Sequence, residues 1–369
     1  MPDGTQRGKS MKTWKDNVRS VVPYVPGEQP DDPDMIKLNT NENPYPPSPM
    51  VEQTLKDMRT DTFRLYPDPT AHRLVKAIAD YHGLRETEVF VGVGSDDVLA
   101  MAFMTFFNGS DPILFPDITY SFYDVWAELL RIPYEKIPLN GEFDIVAGDY
   151  KKVNGGIVFP NPNAPTGAEL SLESVREIIE SNRESVVVVD EAYVDFGAET
   201  ALPLIREYDN VLVVRTFSKS RSMAGLRIGY ACGNEEMIRC LNDVKYSFNS
   251  YTMDATVLEL GEASIKDETY FRETIGKITE TREWTQAQLA RLGFSFKDSK
   301  ANFVFAAHES CPASELFARL REEHIYVRYF NKPRISNHLR ITIGTPEEMR
   351  KLIEFLEHYL AERKEKGEA

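Results

Sequence analysis

At 369 residues the chain is longer than one hydrophobic core usually supports, which argues for two cooperating domains. Its 43 Lys and Arg against 58 Asp and Glu leave a net charge of −15, which argues against a broad basic face and a nucleic-acid partner. With 42% hydrophobic and 27% charged residues, and no run near the roughly 20 apolar residues of a membrane span, the composition is that of a globular protein with no membrane partner.

The first ten residues lack the apolar core of a signal peptide, and Met11 is a candidate natural start behind a short extension. Residues 11–44 are punctuated by Pro23, Pro26, Pro30, Pro33 and Pro44, which predicts an extended arm. Residues 89–93 read as a strand and 96–107 as a helix, closed by the turn residues 108–112. Residues 113–115, 156–159, 186–189 and 211–214 are short runs of continuous apolar character, which suits strands covered on both faces in a mostly parallel sheet. Between them, Leu172, Val175, Ile178 and Ile179 carry helical spacing behind a candidate cap, Ser171. A large α/β domain is therefore expected over residues 45–275, with loops at the strand C-termini carrying the site. Residues 276–369 alternate helix (281–292, 314–323) with strand (302–305, 325–329, 339–343) and predict a smaller α+β domain, which the arm of residues 1–44 joins. The last helix starts at the cap Thr345-Pro346-Glu347-Glu348, and the charged tail 362–368 is expected to fray.

Cys232, Cys240 and Cys311 show no paired or Cys/His spacing, so neither a disulfide framework nor a metal site is expected, and a reducing cytoplasmic setting fits. Scattered histidines such as His72 and His338 read as surface or packing residues. In so acidic a chain the cations that could meet an anion stand out: Arg227, Arg328, Arg334 and Arg340.

Three residues carry most of the chemistry. Lys219 follows a β-branched strand in Thr216-Phe-Ser-Lys-Ser-Arg-Ser-Met-Ala-Gly-Leu-Arg227, and the strand of residues 186–189 runs directly into Asp190-Glu191-Ala192-Tyr193. A lysine, a buried acid and an arginine brought to strand ends match the needs of pyridoxal 5′-phosphate. Its aldehyde takes an amine, its ring nitrogen takes a carboxylate, and its phosphate takes a guanidinium and backbone donors. An acid at the end of a four-valine strand is costly unless a cation meets it.

With Asn161-Pro-Asn-Ala-Pro-Thr-Gly167 and Gly94-Ser95-Asp96, these strand ends resemble the fold-type I aminotransferases over nearly the whole chain. Lys37-Leu-Asn-Thr-Asn-Glu-Asn-Pro44, Leu65-Tyr-Pro-Asp68 and Leu339-Arg-Ile-Thr-Ile-Gly-Thr345 are most similar to the histidinol-phosphate aminotransferase family. The resemblance implies a three-layer αβα domain on a mostly parallel seven-stranded sheet, a smaller α+β domain, and a homodimer with its site at the interface. It implies catalytic roles for Lys219, Asp190 and Tyr193, with Tyr193 bonding the cofactor's phenolic oxygen. Ser95 and Asp96 would offer helix N-terminal amides to the phosphate, the Asp96 side chain capping the helix. Thr216, Ser218 and Arg227 would complete that cradle, Tyr66 would reach it from the partner subunit, and Tyr120 would stack on the ring. Where the family commonly has an asparagine before Pro-Thr-Gly, this chain has Ala164, so either Asn163 substitutes or Tyr193 acts with less help. Arg340, with Arg328 and Asn43, would bind the substrate's acidic group, carboxylate or phosphate in turn.

The implied activity transfers the amino group of L-histidinol phosphate to 2-oxoglutarate. The motifs leave open an aromatic amino-acid aminotransferase or a threonine-phosphate decarboxylase. A non-catalytic regulator that retains the fold is opposed by the acidic charge and by the lack of a spare DNA-binding module.

Overall fold

The computed structural model describes residues 13–367, so the expectation for the first ten residues and Met11 lies outside them. Among the described residues, twelve strands divide between two sheets. The first, β1 (Ile36–Leu38), belongs to the smaller sheet. The larger sheet takes the next seven: β2 (Val89–Gly92), β3 (Ile113–Pro116), β4 (Tyr134–Ile137), β5 (Gly156–Pro160), β6 (Val187–Asp190), β7 (Val211–Thr216) and β8 (Gly229–Cys232). Their order is β2-β8-β7-β6-β5-β3-β4, parallel except that β8 runs antiparallel to β2 and β7. Then β9 (Phe294–Phe296), β10 (Phe303–His308), β11 (Ile325–Tyr329) and β12 (Leu339–Thr342) complete the smaller sheet, ordered β1-β11-β12-β10-β9. Here β1 lies parallel to β11, so the arm lends a strand to the C-terminal half, and the other pairs are antiparallel.

Side chains along the central strands alternate between two cores, as a period of two requires when both faces are covered. Val187 and Val189 of β6, with Val211 and Val213 of β7, meet Leu74, Ile78 and Ile178 on one face. Val188, Leu212 and Val214 meet Val98, Phe103, Tyr123 and Trp126 on the other. The same parity fixes the strand ends: Asp190 and Thr216 continue the second face, Glu191 and Arg215 the first.

Local chemistry sets the helix starts. Ser171 Oγ accepts the N–H of Ser174 at 3.2 Å and opens Leu172–Ser181. Thr345 and Glu348 form a reciprocal capping box at the head of Pro346–Glu365. That helix runs to Glu365, with Arg363 buried and bonded to Glu315, so the tail does not fray at residue 362 as its charge suggested. Two strands of the larger sheet escaped the sequence reading because neither is an apolar run, as did the three-residue β1 and β9 of the smaller one. The β4 segment Tyr-Glu-Lys-Ile is an edge strand with charged residues facing water, and β8 is the glycine-led Gly-Tyr-Ala-Cys. The division drawn at residue 275 falls inside one helix, Glu268–Arg291, so the two halves share a helix rather than a linker.

Candidate active site

The C-terminal ends of β5, β6 and β7 and the start of helix Gly94–Phe106 surround one cavity. Its wall comprises Ser95, Asp96, Tyr120, Pro160, Ala164, Asp190, Ala192, Tyr193, Thr216, Ser218, Lys219 and Arg227. Nine of the ten same-chain residues expected at a cofactor are therefore brought together; Asn163 is the exception.

Asp190 forms the floor. It is 4% exposed and accepts hydrogen bonds from the Tyr123 hydroxyl at 2.9 Å and the Ala192 N–H at 3.2 Å. Both donors are neutral. Burial pushes its carboxyl up to about 6, against the opposing pull of those two hydrogen bonds. A buried acid in this state favours a cationic partner in the cavity, and a protonated pyridine nitrogen has that chemistry.

At the opposite end the groups suit a phosphate. Gly94 takes a φ of 83°, and a Cβ there would meet the Arg227 guanidinium. Arg227 donates through Nη1 to Ser218 Oγ at 3.3 Å and pairs through Nη2 with Asp96 at 2.9 Å. The Asp96 side chain is thus taken up by Arg227 and by the Tyr120 hydroxyl at 2.6 Å; it does not cap the helix. Asp97, one residue on, accepts the Val93 N–H at 2.9 Å, just ahead of the helix. The helix N-terminus, the Ser218 hydroxyl and a guanidinium together form a donor set for an anion. Thr216 Oγ1 donates to the Ile228 carbonyl and accepts from the Ser218 N–H.

Between the two ends Lys219 Nζ donates to the Thr40 carbonyl at 3.1 Å and lies 5.9 Å from the centre of the Tyr193 ring. The Tyr193 hydroxyl accepts from Asn41 Nδ2 at 2.8 Å. Asn41, at φ 57° and 1% exposed, is tied in turn to Thr342 and Asn302. Asn163 Nδ2 donates to the Ile118 carbonyl and Thr166 Oγ1, and its Oδ1 accepts the Thr119 hydroxyl, so it does not reach round to replace the residue at Ala164. Asn43 also stays off the wall, donating to the Ser220 carbonyl at 3.2 Å and accepting the Tyr45 N–H.

Arg340 and Arg328 stand opposite each other on β12 and β11. The Arg340 guanidinium lies over the Phe303 and Phe330 rings and donates to the Asn39 carbonyl at 2.9 Å, while its Nε is buried without a partner. Burial, followed by repulsion from Arg328, lowers its pKa. Among the described residues neither arginine has a carboxylate partner, so the pair lacks an anion. Arg328 also lines a second cavity of about 590 Å³ together with Tyr24 and Phe330. Arg334 is committed elsewhere, to Asp117 at 3.0 Å. Tyr66 is 82% exposed and touches Tyr251.

Sequence reasoning missed Tyr123 and Asn41. Tyr123 lies three residues past Tyr120, and Asn41 lies inside the 37–44 motif, where Asn43 was singled out.

A family profile described as aminotransferase class I and II matches residues 33–356. The chain is 53% identical over 355 residues to a histidinol-phosphate aminotransferase of Lactococcus lactis subsp. cremoris, covering 96% of this chain and 99% of that one. It is 51% identical to that of Clostridium botulinum, covering 92% and 96%. Among solved structures, histidinol-phosphate aminotransferase from Sinorhizobium meliloti in complex with pyridoxal-5′-phosphate superposes with a TM-score of 0.80, at 22% identity and coverage of 88% and 90%; at that identity the likeness speaks for the fold.

Proposed function

Because the chain belongs to the class I and II aminotransferases, we propose that it transfers the amino group of L-histidinol phosphate to 2-oxoglutarate, yielding imidazole acetol phosphate and L-glutamate, with pyridoxal 5′-phosphate as cofactor. The observation that carries this is the presence of Lys219, Asp190 and Arg227 in one cavity wall. Identity near one half, over nearly the full length, to relatives of that activity supports the substrate.

When bound, the cofactor supplies an aldehyde for the substrate amine and a protonated ring that draws electrons from the amine-bearing carbon. The protein's part divides by position. Asp190, held by Tyr123, would keep the ring nitrogen protonated. Arg227, Ser218 and the amides of Ser95 and Asp96 would hold the phosphate, Tyr120 would lie against the ring, and Tyr193, tied to Asn41, would bond the phenolic oxygen. Lys219 Nζ would hold the cofactor through its aldehyde and, as a free amine, would be the base that takes the proton from the substrate's amine-bearing carbon. Arg340 and Arg328 take the carboxylate of glutamate or the phosphate of histidinol phosphate, one planar donor set serving two anions.

The active species is a homodimer in which Tyr66 of one subunit reaches the phosphate of the other. Phe63, Leu65, Phe248 and Tyr251 are exposed with it and offer apolar area for such a contact. Three free cysteines, two of them buried, support a cytoplasmic setting. Among the described residues no helix is long and apolar enough to cross a membrane.

A half-reaction panel tests the assignment. Histidinol phosphate should convert the cofactor to its amine form faster than phenylalanine or tyrosine, and 2-oxoglutarate should reverse it. Equal turnover of the aromatic amino acids, or release of carbon dioxide without a keto acid, would overturn the substrate.

A further inference from the structure

Behind the cavity, on the opposite face of the sheet, lies a polar chain that the reaction as described does not use. Glu191 and Arg215 follow Asp190 and precede Thr216, and the alternation of side chains turns both away from the cavity. Glu191 has no exposed side-chain surface, and Arg215 meets it through Nε at 2.9 Å and Nη2 at 2.8 Å. Arg215 also reaches the Thr200 hydroxyl at 2.8 Å and, through Nη1, Asp195 at 3.4 Å. Asp195 in turn accepts the hydroxyl of Ser220 at 2.5 Å. Ser220 is the residue after Lys219, and its carbonyl is held from the other side by Asn43.

We propose that Asp195, seated by Arg215, positions Lys219 by clamping Ser220. Fixing Ser220 at both its hydroxyl and its carbonyl orients the peptide from which Lys219 departs. A flexible four-carbon side chain then starts from one direction, and its amine spends more of its time at the reacting carbon. Ser220 and Asp195 are thus positioning residues, since neither lines the cavity. The same chain ties β6, which ends at Asp190, to the loop that carries the lysine, so the two groups that need a shared geometry share a support.

The role rests on the cofactor assignment, and the test separates the two. Wild type, Ser220→Ala, Ser220→Thr and Asp195→Asn are prepared as apoproteins, and capture of pyridoxal phosphate by Lys219 is followed as growth of visible absorbance. Single-turnover reduction of the loaded proteins is then measured. In Ser220→Ala and Asp195→Asn both rate constants should fall by about tenfold or more at full amplitude, the range expected for a misplaced catalytic group. Ser220→Thr, which restores a hydroxyl, should recover most of the rate. Reduced amplitude at unchanged rate constants would mean a merely structural role and overturn the proposal, as would wild-type rates in Ser220→Ala. A wild-type apoprotein that captured no cofactor would overturn the assigned function and this role with it.

Discussion

Asp190 shows how one residue couples burial to chemistry. With its pKa raised from an ordinary 3.8 to about 6, it favours the folded apoprotein only while protonated. That contribution is complete below pH 4 and is lost as the pH rises through 6, a loss that amounts to roughly 3 kcal/mol by neutrality at the ~1.4 kcal/mol that each unit represents. Thermal unfolding of apoprotein should show Asp190→Asn converging with wild type near pH 4 and exceeding it in stability above pH 6. Parallel curves would refute the buried, unpaired carboxylate. Bound cofactor should correspondingly stabilise wild type more at pH 7 than at pH 5, because the ring supplies the missing cation. Lys219 and Asp190 were legible in the chain because each sits at or just past the end of an apolar strand, and Arg227 because it stands out as a cation in an acidic chain, eight residues after the lysine. Their helpers were not: Tyr123 and Asn41 reach Asp190 and Tyr193 across 67 and 152 residues of sequence.

At the scale of elements, the phosphate end depends on how closely β8 approaches the helix Gly94–Phe106. A Cβ at Gly229 would overlap the backbone of Gly94 and Ser95, and backbone cannot yield as a side-chain tip can. Gly229→Ala should therefore shift the helix N-terminus and weaken pyridoxal phosphate binding by about tenfold or more, the loss expected when aligned amide donors are displaced from an anion. Titration of the apoprotein by absorbance measures this, and an unchanged affinity would show that the helix start has room to move. The capping box at Thr345 is a quieter case: Thr345→Ala should cost about 1 kcal/mol in denaturant unfolding with little effect on activity. The β8 strand itself was invisible to pattern reading, since its glycine is selected for close approach and not for strand propensity.

For the whole molecule, the proposed dimer makes a quantitative prediction. If Tyr66 acts in the partner's site, Lys219→Ala and Tyr66→Ala subunits complement each other when mixed, unfolded and refolded together. A mixed dimer then carries one site with both lesions and one with neither. Random assortment should restore roughly a quarter of wild-type activity, well above either parent, as expected for a two-fold symmetric pair. Activity no higher than the parents' average would place Tyr66 in its own subunit's site. The shared helix Glu268–Arg291 and the arm strand β1 tie the two halves of each subunit together, and a boundary drawn from composition could not anticipate that continuity.

What the sequence by itself determined was the alternation of covered strands and helices, the strand-end lysine, acid and arginine, and the family that these resemble. All of these follow from local periodicity and from residues set against an apolar run. Only the tertiary structure decided which partners those residues meet. It gave Asp96 to Arg227, tied Asn163 to Ile118 and Thr119, brought Asn41 to Tyr193, and set Glu191, Arg215 and Asp195 behind Ser220. The reason is physical: a strand's parity fixes which face a side chain takes, but the group waiting on that face comes from elsewhere in the chain, at a separation that no local pattern encodes.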